Sequence, residues 1–544
     1  MVLALHLCIA AIATAPMLAT PLTRLMGHPE VDVWNHAWGP WWWWERLSAG
    51  QWPLETTLLG APVGGRLWYI DPVGALLSCW LVPLVGVVGA YNAVIFLCAL
   101  MASVGGRRLA LALEAPASAA WLGAVGVGLS PTLLSEVHNG ISEAAGLAWG
   151  VLCLAATLRA MRQGRLRDWA EAAFWGVLTE IGSFYYALGL AMLLTGVTVV
   201  WLLRRPGLRS LIGAALTSAV VAGAGLAVTR AVQWTLADRS RSLIWRDRDS
   251  WTMHLNLFEH NAVDPRTFLW PGDFQSVDMS VYGESFRHTS YIGWVILLLA
   301  LWSRRGLILA ALVPLAFSLG PWLYYKGEFV YWHGARVALP FRALLDLLPA
   351  GAVGHPQRLG VAGLALLSGL AAVGLGRLPR AALALIGIAA VELLYSSPWP
   401  VQRAAVVDVS AARAIAEQAA GLDEAQPIVL DLPADARGMA ASRYLYLQTQ
   451  HGQAIPYRPD VRSNTAGLSP NRAFQALIHP SEDALGRGEL PLMLESDPVI
   501  WVLLHRDIGD GEKNALTEQI LRAWYGEPTE YGDALLWRTR RGLR

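Results

Sequence analysis

Charge is what this sequence has least of: only 15% of its 544 residues are Asp, Glu, Lys or Arg, while 55% are hydrophobic. So large an apolar share exceeds what an ordinary soluble domain buries, and part of it must face lipid. The net charge is +1 and no basic tract occurs, which excludes the electrostatics that nucleic acid or an anionic surface demands. Cysteine is scarce too. Cys8, Cys79, Cys98 and Cys153 all fall inside apolar runs, so the polar loops hold no disulfide pair and no thiolate cluster for a metal. No internal repeat is visible, and repeats are common in transporters.

What is present is a series of apolar segments, at about 2–24, 72–105, 109–130, 140–160, 168–184, 186–203, 209–232, 289–303, 306–322, 357–376 and 381–397. They read as spans across roughly 30 Å of hydrocarbon, about eleven in all. The first run lacks a basic start and is long enough to be an anchor, although Ala13-Thr14-Ala15 resembles a signal-peptide cleavage site. Segment 72–105 is too long for one upright helix and holds Pro83 and Gly86 in its middle, so a single tilted or broken crossing is expected. Ser183 and the tyrosines beside it mark a short turn within 168–203.

Arginines gather on the short connections: Arg107-Arg108, the group Arg159, Arg162, Arg165 and Arg167, then Arg204-Arg205-Arg209, Arg304-Arg305 and Arg377 with Arg380. That asymmetry marks the cytoplasmic side. Loops 25–71, 131–139, 233–288 and 323–356 then face outward, with the N-terminus in the cytoplasm of a cell (inner) membrane protein. After Pro398 charge rises and long apolar runs stop. Runs 427–432 and 499–504 read as buried strands, 411–420 and 513–524 as amphipathic helices, and 530–538 as a terminal strand or hairpin. The expected architecture is mainly α: a helical membrane domain over 1–397, followed by a soluble extracytoplasmic α/β domain over 398–544.

Polar residues of interest lie at the outward ends of spans. Glu30 and Asp32, with His36 following, stand where the first span meets water, and a carboxylate there can serve as a general base. The ordinary alternative is a solvated loop. Trp34, Trp38, Trp41 to Trp44 and Trp52 suggest an interfacial helix lying flat, or a platform for a ligand. A dense group from Ser135 through Glu136, His138, Asn139 and Ser142 to Glu143 is costly at a membrane boundary unless it faces a cavity or itself. His138 and Glu143 lack the spacing of a metal site.

Glu180 stands with Ser183, Tyr185 and Tyr186, and a long outer loop carries His254, His260, Asp264, Asp273, Asp278, Glu284, Arg287 and His288; most of these charges read as solvated, with Glu284 and Tyr291 closest to a returning helix. His355 and Arg358 open a late helix, where a cation and a helix N-terminus favour an anion such as phosphate. Snorkelling of Arg358 to headgroups is the plainer account. Glu114, Glu180 and Glu392, if all lay at the bilayer midplane, would favour a transporter or channel. A non-catalytic envelope assembly protein on the same fold is a further alternative.

Taken together, these motifs resemble bacterial members of the GT-C superfamily of membrane glycosyltransferases, which includes protein mannosyltransferases and aminoarabinose transferases. The likeness rests on the acidic motif Glu30/Asp32, the Trp-rich stretch 41–65 ahead of Asp71-Pro72, Ser130-Pro131 with His138-Asn139, Ser183 to Tyr186, and segments 348–378 and 429–463. It implies transfer of a hexosyl or pentosyl group from a polyprenyl-phosphate donor to a glycan, lipid or protein acceptor outside the membrane. Asp32, then Glu30, would be the base, and Arg358 would meet the donor phosphate. His36, His138, Asn139, Tyr185, Tyr186, Glu284 and His355 would surround the substrates. No cofactor is expected; a divalent metal is compatible with such chemistry, but nothing in the spacing indicates one. The family's acidic pair is often adjacent, whereas Val31 separates the two here.

Overall fold

The computed structural model describes residues 1–203, 205–237, 241–243, 263–271, 286–303, 306–345, 354–422, 426–434, 442–458, 468 and 470–539. Among them, six helices are long and apolar enough to cross a membrane: Pro72–Ala112, Ala120–Asn139, Ser142–Gln163, Phe184–Leu203, Leu208–Ala237 and Pro356–Leu375. Shorter apolar helices occur at Val2–Ala13 and Leu307–Ser318. The chain is a membrane protein.

Several expected spans differ from what forms; that over 289–303, for one, is a helix of nine residues, Trp294–Trp302. The first apolar run does not continue as one helix to residue 24: Val2–Ala13 ends, Pro16 opens a short helix Ala15–Ala19, and Arg24–Met26 is a strand. Nor does a span begin near 109. The preceding helix runs on to Ala112, Glu114 adopts a left-handed φ of 69°, and the next helix begins at Ala120. Pro116 lies in that gap, where its missing N–H and fixed φ oppose helix continuation. The long segment from Pro72 is broken, as its composition suggested. Gly86 takes φ 71°, a conformation that costs a residue without Cβ little.

Burial sorts the helices. The apolar windows of Ala120–Asn139 and Pro356–Leu375 are 89% buried, whereas that of Leu208–Ala237 is 6% buried. The first two form the centre of the bundle, and the last turns almost all its side chains outward, as a lipid-facing helix must.

Residues 403–539 carry a four-stranded sheet in the order Thr529–Tyr531, Ala534–Arg538, Val499–His505, Ile428–Leu432. The last two strands are parallel, and every residue of both is buried, which is why they read as unbroken apolar runs. The first two form a hairpin. Helices Ser410–Ala419, Arg443–His451 and Gly511–Tyr525 accompany the sheet, the last capped by Asp510, whose side chain accepts from the Glu512 amide at 2.9 Å.

This region is fastened to the first polar loop. Arg24–Met26 pairs antiparallel with Arg403–Ala405, the Ile455 amide donates to Leu58 O at 2.8 Å, and the Ala61 amide donates to Ile455 O at 3.1 Å. The Trp-rich segment folds as a helix, Val33–Ser48, whose residues from Val33 to Trp42 are buried inside the protein. Trp34, Trp38 and Trp42 recur at four-residue intervals on one face and are fully buried. Trp38 stacks on Trp42 at 5.4 Å, and its indole N–H donates to Gln448 Oε1 at 2.9 Å. Gln448 in turn donates to Leu58 O at 2.7 Å and Gln453 O at 3.0 Å, so one buried amide ties the C-terminal helix to the Trp helix and its loop.

Candidate functional site

The acidic loop is positioned by close backbone contact. Gly27 and Gly140 both have positive φ, and a Cβ built on Gly27 would lie 2.5 Å from Gly140 Cα, so only glycine permits this approach. The His28 amide donates to His138 O at 2.8 Å, and the Tyr91 hydroxyl bridges Met26 O and Gly140 O at 2.9 and 2.8 Å. Loop 27–32 and turn 138–140 therefore make one wall.

Glu30 is exposed at its tip, Val31 is fully buried, and Asp32 is partly exposed at the start of helix Val33–Ser48. The Asp32 carbonyl accepts from the His36 amide at 3.1 Å. Beside the acids, His28 is held below its ordinary pKa, chiefly by burial; Glu30 opposes that shift and the Arg287 charge adds to it. An acid and a guanidinium thus flank one imidazole at the rim.

Beneath the rim lies a buried ion cluster. Arg358 is 2% exposed; its Nε donates to Glu136 Oε1 at 3.1 Å and its Nη1 to Glu143 Oε1 at 2.8 Å. The Tyr185 ring covers the guanidinium at 5.6 Å, and the His355 ring meets Tyr185 edge-on at 5.4 Å. The Tyr186 hydroxyl donates to Ala144 O at 2.7 Å.

Neutral imidazoles border this charge. Burial, with the Arg358 charge adding, pushes His36 down to about 3. His288 is pushed down to about 4, mainly by burial, with Glu136 opposing and Arg358 adding. Burial, then Arg358 and His288, hold His355 well below its ordinary value. His36 Nδ1 lies 3.0 Å from Ser142 Oγ, which donates to Asp71. Burial raises the Asp71 carboxyl, against the opposing bonds from Ser142 and the Gly74 amide.

The structure changes the parts assigned to two residues. Arg358 was expected to meet a donor phosphate, but its fork is occupied by two carboxylates inside the bundle, an arrangement that neutralises the cation where it stands. Asn139 was expected at the substrate, but it is fully buried, and both ends of its amide hold the Arg287 backbone: Nδ2 donates to Arg287 O and Oδ1 accepts from the Arg287 amide, each at 2.8 Å. Asn139 therefore positions Arg287, which is exposed. Glu284 lies outside the described residues. Glu114 sits in an interhelical turn beside Arg162, 3.4 Å away, and Glu392 accepts from the Tyr291 hydroxyl at 2.7 Å and the Trp294 amide at 2.6 Å. Glu392 thus caps the start of helix Trp294–Trp302.

Sequence reasoning did not join Arg358 to Glu136 and Glu143. The signal was available: two carboxylates inside apolar spans require a buried cation. The Gln448 bridge had no such signal.

A cavity of about 590 Å³ opens beside this wall. Its lining includes Ser135, His138, Arg287, His288 and Thr289, together with residues of the connection that follows Tyr395. Among the described residues, no group of three His, Cys, Asp or Glu side chains is arranged to hold a metal ion.

No protein-family model matches the chain, and no curated protein sequence does. Solved structures do. An arabinofuranosyltransferase, AftD from Mycobacteria, matches with TM-score 0.58 and 17% identity over 99% of this chain and 40% of that one. The oligosaccharyltransferase AglB from Archaeoglobus fulgidus, solved with an inhibitory peptide and a dolichol-phosphate, matches with TM-score 0.53 and 12% identity over 93% of this chain and 69% of that one. The chain shares its fold with these two transferases. It spans 40% of the length of the arabinofuranosyltransferase.

Proposed function

We propose that this protein is a membrane glycosyltransferase that moves a sugar from a polyprenyl-phosphate donor to an acceptor hydroxyl on the extracytoplasmic side. The observation that carries the reading is the fastening of the acidic loop 27–32 onto turn 138–140, beside the cavity that Arg287 borders. A lipid-linked donor enters from the bilayer while a polar acceptor arrives from water, so the reaction belongs at such a boundary. The fold shared with sugar transferases supports the same reading.

Asp32 acts as general base. The acceptor oxygen bonds to the anomeric carbon as the carbon–oxygen bond to phosphate breaks; the bonding pair leaves with the lipid phosphate, and the acceptor proton goes to the Asp32 carboxylate. Glu30, exposed two residues earlier, is the second candidate for that proton. Arg287, whose backbone Asn139 pins, offers its charge to the departing phosphate in the place first given to Arg358. The N-terminus is cytoplasmic in this scheme, and residues 398–544 lie outside. Purified protein incubated with a panel of polyprenyl-phosphate sugars and candidate acceptors should release polyprenyl phosphate, and Asp32→Asn should not. Absence of release from every donor by the wild type would defeat the proposal.

A further inference from the structure

Between helix Leu307–Ser318 and the short helix Phe341–Leu345, YYKGEFV at 324–330 is followed directly by YWHGARV at 331–337. Each copy has two aromatic residues, a nitrogen base, glycine, two variable residues and valine, a local duplication far shorter than the repeats of transporters. Each folds as a tight hairpin. Tyr325 pairs with Glu328 and Trp332 with Ala335, so Lys326-Gly327 and His333-Gly334 are two-residue turns, and all four turn residues have positive φ, between 49° and 90°. That is the turn whose twist suits a hairpin. The two copies then close on each other: the Val330 amide donates to Leu323 O, the Val337 amide to Val330 O and the Leu323 amide to Val337 O, each at 2.9 Å. One knob results, with part of its backbone satisfied from within, as residence near acyl chains requires. The Arg336 guanidinium lies over the Phe329 ring at 4.3 Å and the Trp322 ring at 5.3 Å.

The outer side of the knob carries bare rings: Trp332 is 71% exposed, Tyr331 58% and Tyr325 43%. Large rings grouped on a surface mark a contact. The depth of the knob identifies it. Trp322, at the entry, packs on the buried cluster of Phe341, Leu345 and Leu359, and so do Tyr185 and Leu188 from the first turns of helix Phe184–Leu203. The 20 residues of that helix extend about 30 Å, roughly the thickness of the hydrocarbon layer. The knob therefore starts where a spanning helix ends, at the boundary between acyl chains and headgroups. Helix Leu307–Ser318, which leads into it, leaves Leu309 and Leu312 exposed on its apolar surface, so the bare rings continue a lipid-facing side. Trp and Tyr concentrate at this boundary, with the ring toward acyl chains and the polar edge toward headgroups. Lys326, exposed in the first turn, extends a charge to lipid phosphates.

We infer that residues 324–337 are a membrane-interface anchor, seated on the headgroup boundary of the bilayer by Tyr325, Tyr331 and Trp332. A bilayer fits better than a soluble partner because the rings sit level with the end of a spanning helix and next to exposed aliphatic side chains. The inference needs only that the helices cross a bilayer, and it stands or falls independently of sugar transfer.

The test uses the full chain carrying Cys8→Ser, which leaves three buried cysteines, with an NBD fluorophore on Ala335→Cys beside the second turn, in nanodiscs of zwitterionic lipid. The emission should be blue-shifted from that of the free label in buffer. Lipids with a nitroxide near the headgroup should quench it more than lipids with a nitroxide deep in the acyl chain. Adding Tyr331→Ser and Trp332→Ser should remove roughly half or more of that quenching. Both residues are exposed, so the thermal unfolding midpoint should stay near that of the labelled parent. Unshifted emission without lipid quenching places the turns in water and overturns the inference. A blue shift that no lipid quenches means that protein or a soluble ligand covers the turns, and overturns the bilayer as the occupant. Undiminished quenching in the double-serine variant overturns the anchoring role of the rings.

Discussion

Two pairs of carboxylates, close to the same turn, live under opposite conditions. Glu30 and Asp32 stand at the aqueous rim, one exposed and one partly so, on a loop held by backbone bonds. Glu136 and Glu143 are buried and hold one guanidinium between them. A base that must take up and return a proton needs contact with the reacting partner, which the rim supplies. A carboxylate locked to Arg358 has an ion-pair partner and its geometry fixed, which suits holding helices Ala120–Asn139, Ser142–Gln163 and Pro356–Leu375 together. Burial separates them.

The largest effect should follow from breaking the buried pair. Arg358→Met leaves two carboxylates uncompensated in the bundle and should cost about 3–5 kcal/mol, enough to lower the unfolding midpoint sharply or abolish folding. Thermal unfolding in detergent checks this, and a variant as stable as wild type would remove the structural role given to Arg358.

Acid should probe the same interior through its imidazoles. His36 and His288 titrate near 3 and 4 when folded, below the ordinary value near 6.5, so the unfolded chain binds more protons between those limits. Stability should therefore be full above about pH 6.5 and fall as pH drops toward 4. His288→Gln should flatten that slope; an unchanged slope would mean the ring is not buried neutral.

A smaller loss is expected at the bridge to the C-terminal region. Gln448→Leu removes bonds to Trp38, Leu58 and Gln453 and should cost about 1–3 kcal/mol. Combined with Trp38→Phe, it should show a coupling of about 0.5–1.5 kcal/mol, while strictly additive losses would deny the direct bond. The smallest effect belongs to Glu30→Gln, within about 0.5 kcal/mol of wild-type stability, because the residue is exposed. If Asp32 is the base, transfer by Glu30→Gln also stays near normal.

Much of the helical part could be read from composition, since a spanning helix announces itself by length and apolar content. The strands Ile428–Leu432 and Val499–His505 were readable for a related reason: buried on both faces, they form short continuous apolar runs bounded by turn residues. The true extent of the first helix was not, because Pro16 sits within an otherwise apolar stretch. The packing of the Trp helix was not legible for a physical reason: an interfacial face and a face buried against another part of the chain have the same amphipathic pattern. Its partner, Gln448, is 410 residues away, and no local signal carries such a contact. Of the site, the acids and His138 could be found by their position at span ends. Asn139 as a support for Arg287 could not, because a side chain that binds backbone and one that binds substrate are spelled the same way.

The central claim is that rim and interior acids have different work. It is tested most directly by measuring, on the same preparations of wild type and Asp32→Asn, the initial rate of polyprenyl phosphate release and the thermal unfolding midpoint. The account predicts a loss of roughly 10²–10⁴-fold in rate with stability within about 0.5 kcal/mol of wild type. Transfer by Asp32→Asn at the wild-type rate, or a rate loss that merely tracks unfolding, would contradict it.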